Sequence, residues 1–166
     1  MLTFATLIDR LAAAIGKAGA LVLPLLVLTI CINVLLRYVF NLGLIELEEL
    51  QWHLNALTVM CCLAWAYQCD DHVRVDALHA RFSSRKKDWV ELLGVIFLLL
   101  PFTWLVAKNG WTIFSFSWAI KEGSPMPSGL PARYLVKGVM AAGFSLLVLQ
   151  GIAIGLRALS RIVRSQ

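Results

Sequence analysis

What this sequence lacks is charge where it is most apolar. Of 166 residues, 60% are hydrophobic and only 15% are charged. Four runs of 19 or 20 residues, Ala18–Leu36, Leu50–Cys69, Trp89–Ala107 and Gly138–Leu156, hold between them one charged side chain, Glu91, in the first turn of the third. Ionisable groups at membrane depth usually mark an ion or substrate pathway. Their absence argues against a channel or a self-contained carrier. The run interiors offer only Thr29, Asn33, Asn55, Thr58, Thr103, Ser145 and Gln150 as polar groups. Paired broken helices of the kind that build transporter sites are missing too, since Pro24 and Pro101 stand alone and kinks are tolerated in membranes.

Redox and metal chemistry are also poorly supplied. The four cysteines are Cys31, Cys61, Cys62 and Cys69, with no C-x-x-C pair. A thiol oxidase needs spaced pairs near the oxidising side, so these read as small apolar residues. Of three histidines, His53 lies at one end of the second run, while His72 and His79 lie in the charged connection after it. A membrane haem needs two facing axial ligands at one depth, and no His/Asp/Glu set has ligand spacing inside a run. No basic groove with interleaved aromatics is present for a nucleic acid. Neither the ends nor the three connections are long enough for a separate domain.

What is present is length. A run of 19 or 20 residues at about 1.5 Å per residue covers the roughly 30 Å hydrocarbon core of a bilayer. The sequence therefore predicts an all-α integral membrane protein forming one domain over 1–166. Four transmembrane helices are expected over about 18–36, 50–69, 89–107 and 138–156. Ten Lys and Arg residues, Arg10, Lys17, Arg74, Arg81, Arg85, Lys86, Lys87, Arg157, Arg161 and Arg164, fall on one side of such a bundle, and five, Arg37, Lys108, Lys121, Arg133 and Lys137, on the other. That bias places both termini in the cytoplasm. Tyr38, Trp52, Trp111, Trp118 and Tyr134 flank the outer ends, and Trp65, Tyr67 and Trp89 the inner ends, as headgroup anchors do. Trp104 lies deeper.

Short amphipathic segments complete the expected architecture. Phe4, Leu7, Ile8, Leu11 and Ile15 give 1–17 one apolar helical face, either at the cytoplasmic interface or running into the first span. Asp9 and Arg10 interrupt that stretch and argue against a cleaved signal peptide. Val75, Leu78 and Phe82 repeat the pattern over about 73–84. Outside, Asn41 and Gly43 predict a turn. Three prolines and two glycines between Lys121 and Arg133 exclude a regular helix there. The stretch Trp111–Ile120 either extends the third helix or lies along the outer surface.

The informative polar residues sit at the ends of the runs. Arg37 closes the first, and Glu46, Glu48 and Glu49 open the second on the same side. A cation at a helix C-terminus and anions at an N-terminus each gain about 0.3–1 kcal/mol from the helix dipole. An ion pair there would also fix the outer hairpin or dock a partner. Asp70 to Asp76 form either a solvated turn or a polar latch. Gly151-x-x-x-Gly155 offers close approach to another helix. A scaffold is favoured over a catalyst on these grounds, with a membrane anchor or quinone-linked redox subunit as the alternative.

At these residues the chain resembles the small permease subunit of TRAP transporters, the four-helix DctQ-like family. The resemblance rests on Arg37-Tyr38-Val39-Phe40 after the first run, Glu48-Glu49-Leu50 opening the second, His72-Val73-Arg74-Val75-Asp76 after it, and the Pro/Gly-rich stretch Gly123 to Pro131. It is collinear from about Leu26 to Arg157. Glu48-Glu49-Leu50-Gln51-Trp52-His53 and Glu122-Gly123-Ser124-Pro125 resemble the mannitol/chloroaromatic and 2-oxo acid branch. The resemblance implies a bacterial inner-membrane scaffold subunit partnered by a large membrane subunit, which binds sodium and substrate, and by a periplasmic substrate-binding protein. It implies no cofactor in this chain. Partner-interface candidates are then Arg37, Tyr38, Glu48, Glu49, Trp52, His72, Arg74, Asp76, Gly151 and Gly155, and membrane lipids complete the surroundings.

Overall fold

The computed structural model describes residues 2–69 and 82–164, and among these every regular element is a helix. They are α1 (Leu2–Ala20), α2 (Val22–Val39), α3 (Ile45–Cys69), α4 (Ser84–Gly94), α5 (Leu100–Ala119) and α6 (Tyr134–Arg164). A single π-helical turn, Val95–Leu99, joins α4 to α5. The second amphipathic segment, about 73–84, falls almost wholly outside the described residues, as do His72, Arg74 and Asp76.

Among the described residues three helices are long and apolar enough to cross a membrane: Thr3–Val39, Arg85–Ala119 and Tyr134–Val163. At 37 residues the first is about 55 Å long. It is interrupted only at Leu21, a turn residue. Three residues on, Pro24 lacks the N–H that would bond the carbonyl of Ala20. The N-terminal segment thus runs into the first apolar run. The second long helix passes straight through Asn109-Gly110, so Trp111 to Ala119 extend it. Pro101 is absorbed by the π turn, where Leu100 N–H bonds the Val95 carbonyl. The expected second span, 50–69, is α3. Its 25 residues are long enough to cross, but Gln51, His53, Asn55, Thr58 and Gln68 make it too polar to stand with the other three.

Packing explains how α3 tolerates that polarity. It lies against α1, α2 and α6, whereas α2 and α5 occupy the flanks. Following α1 back from Ala12 to Ala5, the contact on α6 moves on from Leu146 to Ala153, so the two helices run antiparallel. Ala12 also meets Ala64 of α3. Gly16 faces Trp65 and Gly19 faces Cys61. On the other flank, Gly110 of α5 faces Ala141 of α6, and Trp111 Nε1 donates to Ser145 Oγ at 2.9 Å.

The face of α1 that packs shares only Ile8 and Ile15 with the one picked out by its large apolar residues. Ala5, Ile8, Ala12, Gly16 and Gly19 turn inward, while Phe4, Leu7 and Leu11 are about half exposed. The reason lies in the solvent. Lipid chains solvate leucine as well as another leucine does, so helices in a bilayer associate where small residues let backbones approach closely. A Cβ on Gly16 would lie 2.5 Å from Trp65 Cβ, which real contacts do not allow.

Gly16→Val should therefore push α1 off α3 and cost about 1–3 kcal/mol in stability, in the range of core overpacking. Ala14→Val, at an exposed position of the same helix, should cost nothing measurable. Thermal unfolding of the two purified variants in detergent compares them, and equal midpoints would remove the small-residue face as the basis of the packing.

Candidate functional site

Two polar assemblies sit at opposite ends of the bundle. At the outer end, Arg37 and Glu48 face each other because α2 and α3 form a hairpin. Asn41, at φ 57°, turns the chain between them, a conformation that Asn tolerates better than most residues. Arg37 Nη1 lies 3.0 Å from Glu48 Oε1. Both side chains are well exposed, at 60% and 45%, so the pair contributes only about 0.2–1 kcal/mol. Tyr38 and Trp52 point away from the bundle, at 80% and 76% exposure.

Glu49 does different work. Its Oε1 accepts a hydrogen bond from Ser124 Oγ, and its Oε2 accepts from the Leu130 backbone N–H at 2.6 Å. Ser124 Oγ in turn accepts from Met126 N–H at 3.1 Å. One carboxylate thus holds the Pro/Gly-rich loop onto the head of α3. Gly129 is required there, since a Cβ would strike Ser124 and come 2.8 Å from Glu49 Oε2. The donors, Ser124 first and Leu130 next, hold the Glu49 carboxyl below its ordinary value of 4.5.

Beside this knot, Lys137 Nζ reaches Glu122 Oε2 at 2.5 Å and Ser117 Oγ at 2.8 Å, tying α5 to α6. Lys137 first, and Ser117 next, lower the Glu122 pKa. Lys121 stands 4.0 Å over the Trp118 ring and 5.4 Å from Tyr134, within cation–π range.

At the inner end, Asp9 of α1 pairs with Arg157 of α6 and accepts from Gln150 Nε2 at 2.9 Å. Gln150 is wholly buried. With side chains 14% and 28% exposed, removal of one partner from such a pair costs about 3–5 kcal/mol. Arg161 forks between Asp88 Oδ1 at 2.6 Å and Glu91 Oε2 at 2.7 Å, tying α6 to α4.

The candidate residues therefore separate. The structure brings Arg37 to Glu48, not to Glu49, whose partners lie in the outer loop. Gly151 and Gly155 face Leu99 and Val95 of this chain's own π turn, so that pair of glycines serves an internal contact. Sequence reading missed the Asp9–Gln150–Arg157 link. Asp9 and Gln150 are 141 positions apart, and the only signal was an acidic residue inside an apolar helical pattern. The chemistry on offer is the fastening of helices and loops. Among the described residues no three His, Cys, Asp or Glu side chains gather as a metal site, and the four cysteines are free thiols.

A carboxyl with a lowered folded pKa stabilises the fold above its unfolded value and loses that contribution as pH falls through the folded one. A spin label at Ser128 should accordingly stay immobile at neutral pH and become mobile only below pH 4.5, the ordinary value from which Glu49 is lowered. In Glu49→Gln it should be mobile at every pH. Identical spectra for wild type and Glu49→Gln at pH 7 would show that Glu49 does not hold the loop.

A family model described as "Tripartite ATP-independent periplasmic transporters, DctQ component" matches residues 26–161. No curated protein and no solved structure matches the chain. The matched segment takes in α3, α4 and α5 with most of α2 and nearly all of α6, and so both outer hairpin ends and the loop fastened by Glu49. The family is one of transporter components rather than of enzymes. A long apolar helical bundle with closed polar links, matched over most of its length, belongs to the DctQ component family of the tripartite ATP-independent periplasmic transporters.

Proposed function

We propose that this chain is the small scaffold subunit of a TRAP transporter, supporting a large membrane subunit in sodium-coupled uptake of an organic acid. Sodium and substrate bind the large subunit. A periplasmic substrate-binding protein delivers the substrate, and 2-oxo acids are the first class to test. Family membership supports this reading, and one structural observation carries it further. The strongest polar groups within the bundle are turned on one another, Asp9 with Arg157 and Gln150, which fastens helices and leaves that carboxylate engaged rather than free to serve as a coupling site. A subunit fastened in this way suits a fixed support against which a partner moves.

In this reading the chain crosses the bacterial inner membrane four times, with both termini in the cytoplasm. The 10-to-5 distribution of Lys and Arg supports the orientation. The crossing by α3 is supported by its place against α1, α2 and α6, which covers part of its polar surface, Gln51 Nε2 and His53 Nε2 included.

Liposomes holding only this chain should show no sodium-driven uptake, whereas adding the large subunit and the binding protein should restore it. Uptake by the chain alone would sink the scaffold reading. The topology has a separate check. With native cysteines replaced, a cysteine at Ser128 should react with an impermeant reagent from the periplasm, and one at Ser84 should not. The opposite pattern would reverse the orientation.

A further inference from the structure

Three sides of α3 are occupied and the fourth is open. Met60 lies under Gly143 of α6, Cys61 and Trp65 lie under Gly19 and Gly16 of α1, and Glu49 holds the outer loop. The remaining side carries Trp52, Asn55 and Val59, spaced by three and four residues, as one helical stripe requires; Glu48, one turn before Trp52, is already paired with Arg37 of α2. Trp52, Asn55 and Val59 are all exposed.

That stripe is poorly suited to lipid. The exposed faces of α2, such as Leu25, Leu28, Ile32 and Leu35, are apolar and need no cover. Asn55 instead presents a carboxamide with no hydrogen-bond partner among the described residues. It sits two turns inside α3, six residues and about 9 Å beyond Glu49, deeper than the 5–8 Å that separates the headgroup surface from hydrocarbon (about 40–45 Å of bilayer against a 30 Å core). Asn109, the other exposed amide on a described helix, returns its N–H to its own helix at Leu105 O, 2.9 Å away. The exposed Thr112 and Ser115 do the same with Lys108 and Thr112. Flanking the stripe, Gln51 Nε2 and His53 Nε2 are buried without partners. Other buried atoms without partners lie on Asn33, Gln68 and Gln150, but Asn55 is the exposed one, and an unpaired amide in hydrocarbon is costly.

The geometry points to the Trp52–Asn55–Val59 stripe of α3 as a docking face for one transmembrane helix of the large subunit, which presents a hydrogen-bonding side chain or a freed backbone carbonyl to Asn55. This rests on the reading of the chain as a TRAP small subunit. It names the face on which that partner sits. Polar side chains that hydrogen-bond across helices are one means by which membrane helices are joined, and the exposed Trp52 and Val59 add apolar contact on either side of Asn55.

The test uses the whole transporter complex in native membranes, with a photo-crosslinking amino acid placed at Asn55, at Val59 or at Leu98. Leu98 is an exposed apolar position on the π turn. Positions 55 and 59 should capture the large subunit, and position 98 should capture lipid. Lipid adducts alone at 55 and 59, a crosslinked pair of copies of this chain, or equal capture of the large subunit at 98 would each overturn the assignment. In parallel, Asn55→Leu should lower the large subunit recovered with the chain by about threefold or more, the range of one interhelical hydrogen bond in a membrane. Asn55→Gln should restore part of it, and full recovery with Asn55→Leu would overturn the proposal. Failure of the wild-type chain to recover any large subunit would instead sink the scaffold reading itself, so the two failures are distinguishable.

Discussion

Close backbone approach through small residues is the constraint on which this bundle depends. Gly16 and Gly19 admit Trp65 and Cys61 of α3, Ala12 meets Ala64 and Leu146, and Gly110 meets Ala141. In water the same helices would pack through Phe4, Leu7 and Leu11. In lipid those side chains gain nothing by burial, and dispersion across a close interface with hydrogen bonds at its ends decides which faces meet. The inner end is locked by Asp9, Gln150 and Arg157, and the outer end by Glu49 with its loop and by Lys137 with Glu122.

The arrangement makes α3 the spine. It has the least apolar character of the long helices, and α1, α2 and α6 cover part of its surface. Its N-terminus holds Glu48 and Glu49 side by side, yet their duties diverge. Adjacent residues on a helix point about 100° apart, so one carboxylate faces α2 and Arg37 while the other faces the loop before α6. Two similar charges in sequence thus become an exposed pair of small energetic weight and a structural clasp. For a subunit whose proposed task is to stay still, clasps at both ends and a polar stripe left open on the spine are consistent parts of one design.

Much of the fold was legible because its signals are local. Runs of 19 or 20 residues with a single charge, Glu91, among them favour helices and suit them to lipid. Asn41, the outer prolines and glycines, and Pro24 and Pro101 mark turns and breaks within a few residues of where the chain bends. The ordered motifs Arg37-Tyr38-Val39-Phe40 and Glu48-Glu49-Leu50 carried the family resemblance, which the family match over 26–161 supports independently. The extension of α5 through Trp111 to Ala119 was left open by periodicity, since an apolar stretch with aromatics suits either a helix core or an interface.

What only the tertiary structure decided is which side chains meet. The sequence by itself determined helix number to within the polar α3, the places of the breaks, and the charge bias across the bundle. It did not determine that Asp9 reaches Arg157, that Arg37 takes Glu48 while Glu49 takes Ser124 and Leu130, or that Gly151 and Gly155 face the chain's own π turn. The physical reason is that apolar pattern reports a preference for lipid over water, which is a property of each residue alone. Helix pairing in lipid depends on complementary shape and on matched donors and acceptors at one depth, which belong to two residues far apart in the chain and exist only once the helices stand side by side.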